Sequence, residues 1–183
     1  MNNDLRAFNL ELQTPRLRLR GLNKADRDLV FALRSDLRVI RHTGIVQYQD
    51  ISQADDFIQK IEQEMEHGTS LTWTIFLSPT GQPIGNICFW NFSDDRKEAE
   101  LGYDLLPDYW GQGYVSEAIQ VVLDFGFRQY GFHTIYAYPR SEHAASCRVL
   151  EKADFRLIEK THVEAEDGVF LTNVYKITNK LDI

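Results

Sequence analysis

The stretch of sequence that decides the fold is residues 107–117, which read PDYWGQGYVSE. It joins a strand-like run at 98–106 to a helical pattern over 116–128. Gly111 and Gly113 permit the positive φ angles that a tight turn requires. Behind such a turn, the first N–H groups of the helix have no intrahelical partner, and the helix dipole favours an anion beside them. The stretch therefore predicts a strand, an anion-binding turn and a helix in direct succession.

Two familiar nucleotide-binding motifs do not fit this turn. A dinucleotide-binding fingerprint needs a third glycine, where this chain has Ser116, and an acidic residue about twenty positions later at the end of a parallel strand. A Walker loop needs a Gly-Lys-Ser/Thr sequence, which the turn lacks. The turn is therefore expected either to bind a phosphate group of another kind or to serve only as a structural turn.

Hydrophobic periodicity in the rest of the chain predicts an α/β fold. The predicted strands are 16–21, 71–77, 84–90, 98–106, 134–138, 155–163 and 169–177, and the predicted helices are 26–34, one that opens at residue 52, 116–128 and 144–152. Their order predicts a mixed, largely antiparallel sheet flanked by helices. The second helix is expected to begin with a capping box between Ser52 and Asp55. The alternating arginines at 16–21 are expected to form a solvated face.

Composition and charge narrow the class of protein. The chain has 183 residues and a formal net charge of −7, which argues against a broad nucleic-acid surface. It shows neither a signal-peptide pattern nor the ~18 consecutive apolar residues of a membrane span, so we expect a cytoplasmic protein without a membrane segment. No linker or repeat divides it, and one domain is expected over 1–183, with its core at about 14–177.

The cysteines and histidines show no metal-site spacing. Cys88 and Cys147 lie in hydrophobic or helical patterns, which favours buried thiols in a reducing compartment and no bound metal. Cys147 is not expected to act as a nucleophile, because no histidine is paired with it. Four histidines are expected at the surface: His42, His67, His133 and His162.

Several motifs, in the same order, resemble those of the GNAT acetyltransferases and, within them, the RimJ/RimL-like branch. They are TPRLRLR at 14–20, AELGYDL at 99–105, YWGQGY at 109–114, SEA at 116–118 and SCRVLEK at 146–152. The resemblance extends from about residue 14 to residue 177. It implies a splayed sheet, acetyl-CoA as the co-substrate, and a pantetheine arm that enters between strands 98–106 and 134–138. The pyrophosphate would then lie on the backbone N–H groups of the turn, in agreement with the anion-binding reading of that turn.

The resemblance also implies a set of cofactor contacts. They are Leu105 and Leu106, whose backbones would pair with the arm, the turn residues Gly111, Gln112, Gly113, Tyr114, Val115 and Ser116, and His143. Three positions depart from the family pattern. Val115 replaces a usual alanine, His143 replaces an asparagine that contacts the arm, and Asp154 replaces a glycine. The first two departures put the fit of the loop and one cofactor contact in question.

Acetyl transfer to an amine needs a deprotonated amine, a polarised thioester carbonyl and a proton for the leaving thiolate. Glu100 is predicted to help remove the proton from the amine, because the middle of its strand face should look into the cleft. The alternative is that Glu100 only attracts a cationic substrate. A backbone N–H near Leu105 or Leu106 is expected to polarise the carbonyl.

The resemblance implies Ser146 as the proton donor. Many family members use a tyrosine four residues further along the helix, but that position is Leu150 in this chain. A capping or packing role for Ser146 is the alternative.

The predicted function is acetyl-CoA-dependent transfer to a primary amine through a ternary complex, by a monomer or a homodimer. The resemblance favours a protein N-terminal amine, such as that of a ribosomal protein, as the acceptor. One alternative is a small amine such as a polyamine, an amino acid or an antibiotic. The other is a non-catalytic domain that binds coenzyme A and takes part in interactions.

Overall fold

The strands form one open sheet. In the computed structural model of the protein, which describes residues 10–165 and 168–179, the sheet has eight strands in the order β1-β2-β3-β4-β5-β6-β8-β7. They are β1 Leu12–Gln13, β2 Leu17–Gly21, β3 Leu71–Leu77, β4 Pro83–Trp90, β5 Glu98–Leu105, β6 Thr134–Ala137, β7 Arg156–Ala165 and β8 Gly168–Thr178. All neighbours are antiparallel except β5 and β6, which are parallel. The predicted mixed, largely antiparallel sheet is confirmed.

Helices cover both faces of the sheet. They are α1 Arg27–Ser35, α2 Leu37–Ile40, α3 Ser52–His67, α4 Tyr114–Asp124, which continues as a π-helix over Phe125–Tyr130, and α5 Ala144–Lys152. The main core lies between the sheet and the pair α4 and α5, with Trp73, Phe89 and Ile119 among its fully buried members. A smaller core that includes Val30 and Ile58 lies under α1 and α3. No helix among the described residues is long and apolar enough to cross a membrane.

The sheet splays between its two parallel strands. β5 and β6 pair only from Glu98 with Thr134 to Glu100 with Tyr136. β5 continues to Leu105 without a β6 partner, while β4 stays paired with it along this stretch. The two strands therefore separate towards their carboxyl ends and leave a cleft, as the resemblance implied.

Two local predictions were wrong. The α3 capping box is absent, because Ser52 is already helical and its N–H donates to Asp50 Oδ1 at 2.8 Å. The arginine face of β2 is not fully solvated either. Arg20 donates two hydrogen bonds of 2.8 Å to the buried carboxylate of Asp26, and its guanidinium also lies over the ring of Phe76. The ion pair of Arg20 and Asp26 thus links β2 to the turn before α1.

Candidate active site

The turn after β5 has the geometry that its glycines predict. Gly111 has a φ of 72° and Gly113 a φ of 81°, and Gly113 is the N-cap of α4. Among the residues that the structure describes, the backbone N–H groups of 112–116 donate no hydrogen bond. Five N–H groups at the positive end of a helix dipole form a site for an anionic group such as a phosphate. These are the residues expected to hold the pyrophosphate.

Arg16, the residue immediately before β2, and Glu117 of α4 form a brace that holds this turn in place. Arg16 Nη1 donates to the Gln112 carbonyl oxygen at 3.0 Å, and its guanidinium lies 4.6 Å from the centroid of the Tyr114 ring. Its Nε donates to Glu117 Oε2 at 2.6 Å. The strand pattern predicted only a solvated face for Arg16, because its partners lie about a hundred positions away.

Glu117 is the other half of this brace. Its Oε1 accepts hydrogen bonds from the Thr14 hydroxyl and, at 3.0 Å, from the Arg16 backbone N–H. Burial alone would raise the pKa of Glu117, but the hydrogen bonds from Thr14 and Arg16 outweigh it and leave the pKa below its usual value. Glu117 is therefore charged at neutral pH and ties the first turn of α4 to the N-terminal strands.

Val115 and Trp110 connect the turn to the main core and to β5. Val115 packs against the main core, so its extra methyl groups fill core space rather than crowd the N–H groups. The Trp110 indole Nε1 donates to the Leu105 carbonyl oxygen at 2.7 Å. The end of β5 and the turn are thereby joined side to side.

The hydrogen-bond pattern of β5 decides which of its N–H groups face the cleft. Leu106 N–H donates to the Ile84 carbonyl oxygen at 2.9 Å, and its own carbonyl oxygen accepts from Tyr109 N–H at 3.0 Å. Because pairing alternates along an antiparallel ladder, the N–H groups of Tyr103 and Leu105 point away from β4 and towards the cleft. The expected donor at Leu106 is therefore already engaged, while Leu105 stays a candidate and Tyr103 joins it.

Glu100 lies on the face of β5 opposite α4 and α5. Its Oε1 accepts a 2.6 Å hydrogen bond from Asn91 Nδ2, which follows β4. Burial raises the pKa of Glu100 and the Asn91 hydrogen bond opposes the rise, with burial prevailing. A carboxylate with a raised pKa at the point where β5 and β6 separate is suited to accept a proton from an amine.

Asp104 shares that face and was missed as a site residue. It is half-buried and lies opposite Asn86 of β4. Within the described residues its carboxylate makes no hydrogen bond, and the buried Asn86 Oδ1 has no partner. Burial raises the pKa of Asp104, partly offset by the charge of Arg34 on α1. Its position on the Glu100 face was predictable from strand alternation, but the approach of Arg34 was not.

Ser146 lies in the first turn of α5 and is buried. Its Oγ is 2.7 Å from the hydroxyl of Tyr103, which reaches it from β5. Cys147, the next residue, points to β8, where Asn173 Nδ2 lies 3.4 Å from its sulfur. The structure therefore brings Ser146, but not the Cys147 thiol, to the strand that borders the cleft.

His143 immediately precedes α5 and stacks on His42, with ring centroids 4.3 Å apart. The expectation of a surface position for His42 was wrong: it is partly buried, and its Nε2 accepts a 2.8 Å hydrogen bond from Arg41 Nε. Burial, with the neighbouring His42 and Arg41, lowers the pKa of His143 to about 4. Both rings are therefore neutral at pH 7.

Comparisons with known proteins give the family to which this chain belongs. Residues 16–156 match the family model of the acetyltransferase (GNAT) domain. The uncharacterized N-acetyltransferase YoaA of Bacillus subtilis (strain 168) is 31% identical over 168 residues, which cover 91% of this chain and 95% of that protein.

Solved structures share the fold. The spermidine N-acetyltransferase from Vibrio cholerae, in complex with CoA and spermine, superposes with a TM-score of 0.79 at 16% identity, over 90% of this chain and 96% of that one. The acetyl transfer enzyme from Salmonella typhimurium that modifies the N-terminal serine of ribosomal protein L7/L12 gives 0.81 at 18% identity, over 91% and 97%. A RimL structure with coenzyme A gives 0.80 at 17% identity, over 90% and 95%. The chain belongs to the GNAT acetyltransferase family, and its fold is that of the RimL-type members.

Proposed function

We propose that the chain transfers the acetyl group of acetyl-CoA to a protein N-terminal amine that is bound in the same ternary complex. One observation carries the proposal: the unpartnered N–H groups of 112–116 follow directly on the end of β5 at which the cleft is open. A phosphate-bearing thioester donor needs an anion site at one end and an extended slot behind it. This chain provides the two in that order.

In this proposal the turn holds the pyrophosphate of the donor through backbone N–H groups. The edge of β5 beyond Glu100 offers Tyr103 and Leu105 N–H groups to an extended arm, as it would to an added strand. Bound acetyl-CoA supplies an activated acetyl thioester. His143, the residue before α5, is a neutral ring at pH 7, so a contact with the arm there would involve no charge.

The chemistry falls to residues on opposite faces of β5. Glu100 removes a proton from the acceptor ammonium, directly or through water, on the face opposite α5. A cleft-facing N–H of β5 donates to the carbonyl oxygen as negative charge develops on it. Ser146 donates a hydrogen bond to the sulfur that leaves. Asp104 lies on the acceptor side and favours an acceptor that carries a positive charge.

An N-terminal amine fits this base better than a lysine-like amine does. An α-amine has a pKa of about 8 and a lysine side chain about 10.4, so at pH 7.5 about a quarter of the former and only about 0.1% of the latter are neutral. The enzyme from Salmonella typhimurium with the same fold modifies an N-terminal serine. A polyamine acceptor is the second candidate, because Glu100 and Asp104 give one face of β5 two partly buried carboxylates.

The test has two stages on the same protein. Thermal unfolding is followed with coenzyme A, acetyl-CoA and NAD, and thiol release is then measured with acetyl-CoA and four acceptors. These are a peptide with a free N-terminal serine, the same peptide with a blocked N-terminus and an internal lysine, spermidine and spermine.

The proposal expects stabilisation by both coenzymes but not by NAD, and thiol release only with the free N-terminus. Release with the polyamines alone would replace the acceptor by the second candidate. Absence of both stabilisation and release at millimolar coenzyme would contradict the proposed donor.

A further inference from the structure

The side chain of Tyr103 has no part in the reaction as proposed above, although it borders the cleft. β5 has no β6 partner beyond Glu100, so Tyr103 belongs to the free stretch of the strand. Its alternate neighbours Leu101 and Leu105 are buried in the main core, which puts Tyr103 on the side of α4 and α5. Its hydroxyl reaches the first turn of α5, where Ser146 Oγ lies 2.7 Å away.

Two hydroxyls at this distance can arrange their protons in two ways. If Ser146 donates to Tyr103, the phenol proton turns to the Ser146 carbonyl oxygen, 3.4 Å away, and both protons are used inside the protein. If Tyr103 donates to Ser146 Oγ, the serine proton is free to point into the cleft. The second arrangement gives the phenol proton the stronger hydrogen bond, because Ser146 Oγ lies 2.7 Å from the phenol oxygen whereas the Ser146 carbonyl oxygen lies 3.4 Å away.

The surroundings of the phenol favour its role as a donor. Burial raises the pKa of Tyr103 to about 12, and the hydrogen bond with Ser146 only partly opposes that rise. The phenol therefore keeps its proton across the neutral range. It can donate that proton in a hydrogen bond but does not act as an acid that gives it up.

We propose that Tyr103 is a positioning residue: its phenol donates to Ser146 Oγ and so directs the serine O–H towards the leaving sulfur. This inference rests on the proposed function. In the transfer, the amine nitrogen forms the new C–N bond, the C–S bond breaks, and its electron pair goes to the sulfur, which accepts the serine hydrogen bond. The ammonium loses two protons in all: Glu100 passes the first to solvent before the attack, and the second leaves the nitrogen once the C–N bond has formed and ends on the thiolate. Tyr103 and Ser146 keep their own protons.

The experiment compares Tyr103→Phe, Ser146→Ala and the double variant in acetyl-CoA turnover. Phenylalanine keeps the ring in the core and removes only the hydroxyl. For Tyr103→Phe we expect kcat to fall about tenfold, the equivalent of one hydrogen bond. The KM of this variant for acetyl-CoA should stay within about twofold of the wild-type value. The double variant should be no slower than Ser146→Ala, because the tyrosine acts only through the serine.

A matched control removes a different hydrogen bond between the sheet and α5. The Tyr175 hydroxyl donates to Glu151 Oε1 at 2.8 Å in the last turns of α5, and its other partner on that helix is Cys147 rather than Ser146. Tyr175→Phe should therefore keep kcat, even if it lowers thermal stability as much as Tyr103→Phe does. All rates are normalised to the fraction of protein that binds coenzyme A, so that loss of folded protein does not count as loss of kcat.

Three results would overturn the inference. Tyr103→Phe could turn over at the wild-type rate, Tyr175→Phe could lose as much kcat as Tyr103→Phe, or the losses of the two single variants could multiply in the double variant. Wild-type protein that neither binds coenzyme nor turns over would instead refute the proposed function, and the inference with it. Activity of the wild type therefore tests the function, and the behaviour of Tyr103→Phe tests the inference.

Discussion

Glu100 and Glu98 lie on the same face of β5, two residues apart, and differ in their surroundings. Glu100 is partly buried and hydrogen-bonded to Asn91, whereas Glu98 is exposed. If Glu100 accepts the proton of the amine, Glu100→Gln should lower kcat roughly 100-fold, while Glu98→Gln should leave it unchanged. Initial rates with saturating acetyl-CoA measure both variants.

The pH dependence of the wild type gives a second readout of Glu100. Because burial raises the pKa of this group above its ordinary 4.5, and because the ionised form is the base, the rate should rise with pH through a value above 4.5.

For the two variants, equal losses of kcat in Glu98→Gln and Glu100→Gln would show that Glu100 only contributes to a general negative field.

His143 predicts how stability changes in acid. Its pKa is about 4 in the folded protein against an ordinary 6.5, so only the unfolded chain takes up the proton between these values. Its contribution to stability is present above pH 6.5 and is lost as the pH falls towards 4. The partly exposed ring and solvent screening keep the effect modest.

The measurement is the melting temperature between pH 7.5 and pH 4.5 for the wild type and His143→Asn. Wild-type stability should decline more steeply than that of the variant. His162→Asn, at an exposed position on β7, serves as the control and should follow the wild type. Parallel curves for the wild type and His143→Asn would contradict the neutral, partly buried state of the ring.

At the scale of elements, the brace between β2 and the start of α4 can be tested. Arg16→Ala removes the side-chain hydrogen bonds to Gln112 and Glu117 and the contact with the Tyr114 ring, and keeps the backbone bond to Glu117. We expect coenzyme affinity to fall about tenfold, since the N–H groups of the turn lose their fixed direction. Titration of coenzyme A by calorimetry measures the loss.

A surface ion pair on α4 is the matched control for this brace. Asp124 Oδ1 lies 2.7 Å from Arg128 Nε, and both side chains are more than half exposed. Arg128→Ala, which removes one positive charge as Arg16→Ala does, should change neither coenzyme affinity nor, beyond ~0.5 kcal/mol, the free energy of unfolding. A similar loss of affinity in both variants would mean that Arg16 acts through net charge alone.

Most element positions were predictable because they depend on residues close in sequence. Alternating apolar residues predicted β3 and β4, and the Gly-containing turn between them is short enough to require a hairpin. The start of α4 was placed two residues late, because the positive φ of Gly113 makes that glycine the N-cap. The short helix α2 was missed, since four residues are too few to show a helical period.

At the scale of the whole molecule, three residue pairs join the two halves of the sheet at the cleft. The main core crosses this junction, with Trp73 from one half and Ile135 and Tyr175 from the other in the same cluster. The protein should therefore unfold in one cooperative transition.

Coenzyme at about 100 times its Kd should raise the melting temperature of that single transition by roughly 5–10 °C. This shift is the equivalent of about 2.7 kcal/mol for a chain of this size. Differential scanning calorimetry provides the measurement, with NAD as the control ligand. Two separate transitions, or a shift in only part of the heat absorption, would contradict a single core.

Short-range sequence patterns by themselves determined the order of the strands and helices and the turn that follows β5. The turn at 107–117, the glycines that shape it, the strand and helix order and the strand face of Glu100 follow from patterns within a few residues, whereas Ser146 became a candidate only through the family resemblance. Tertiary structure alone decided the rest: Arg16 meets Glu117 across 101 positions, and Tyr103 meets Ser146 across 43. The stacking of His42 on His143, and the approach of Arg34 to Asp104, likewise join separate elements. The physical reason is that periodicity and turn geometry depend on neighbouring residues, whereas burial and side-chain partners depend on which elements pack together.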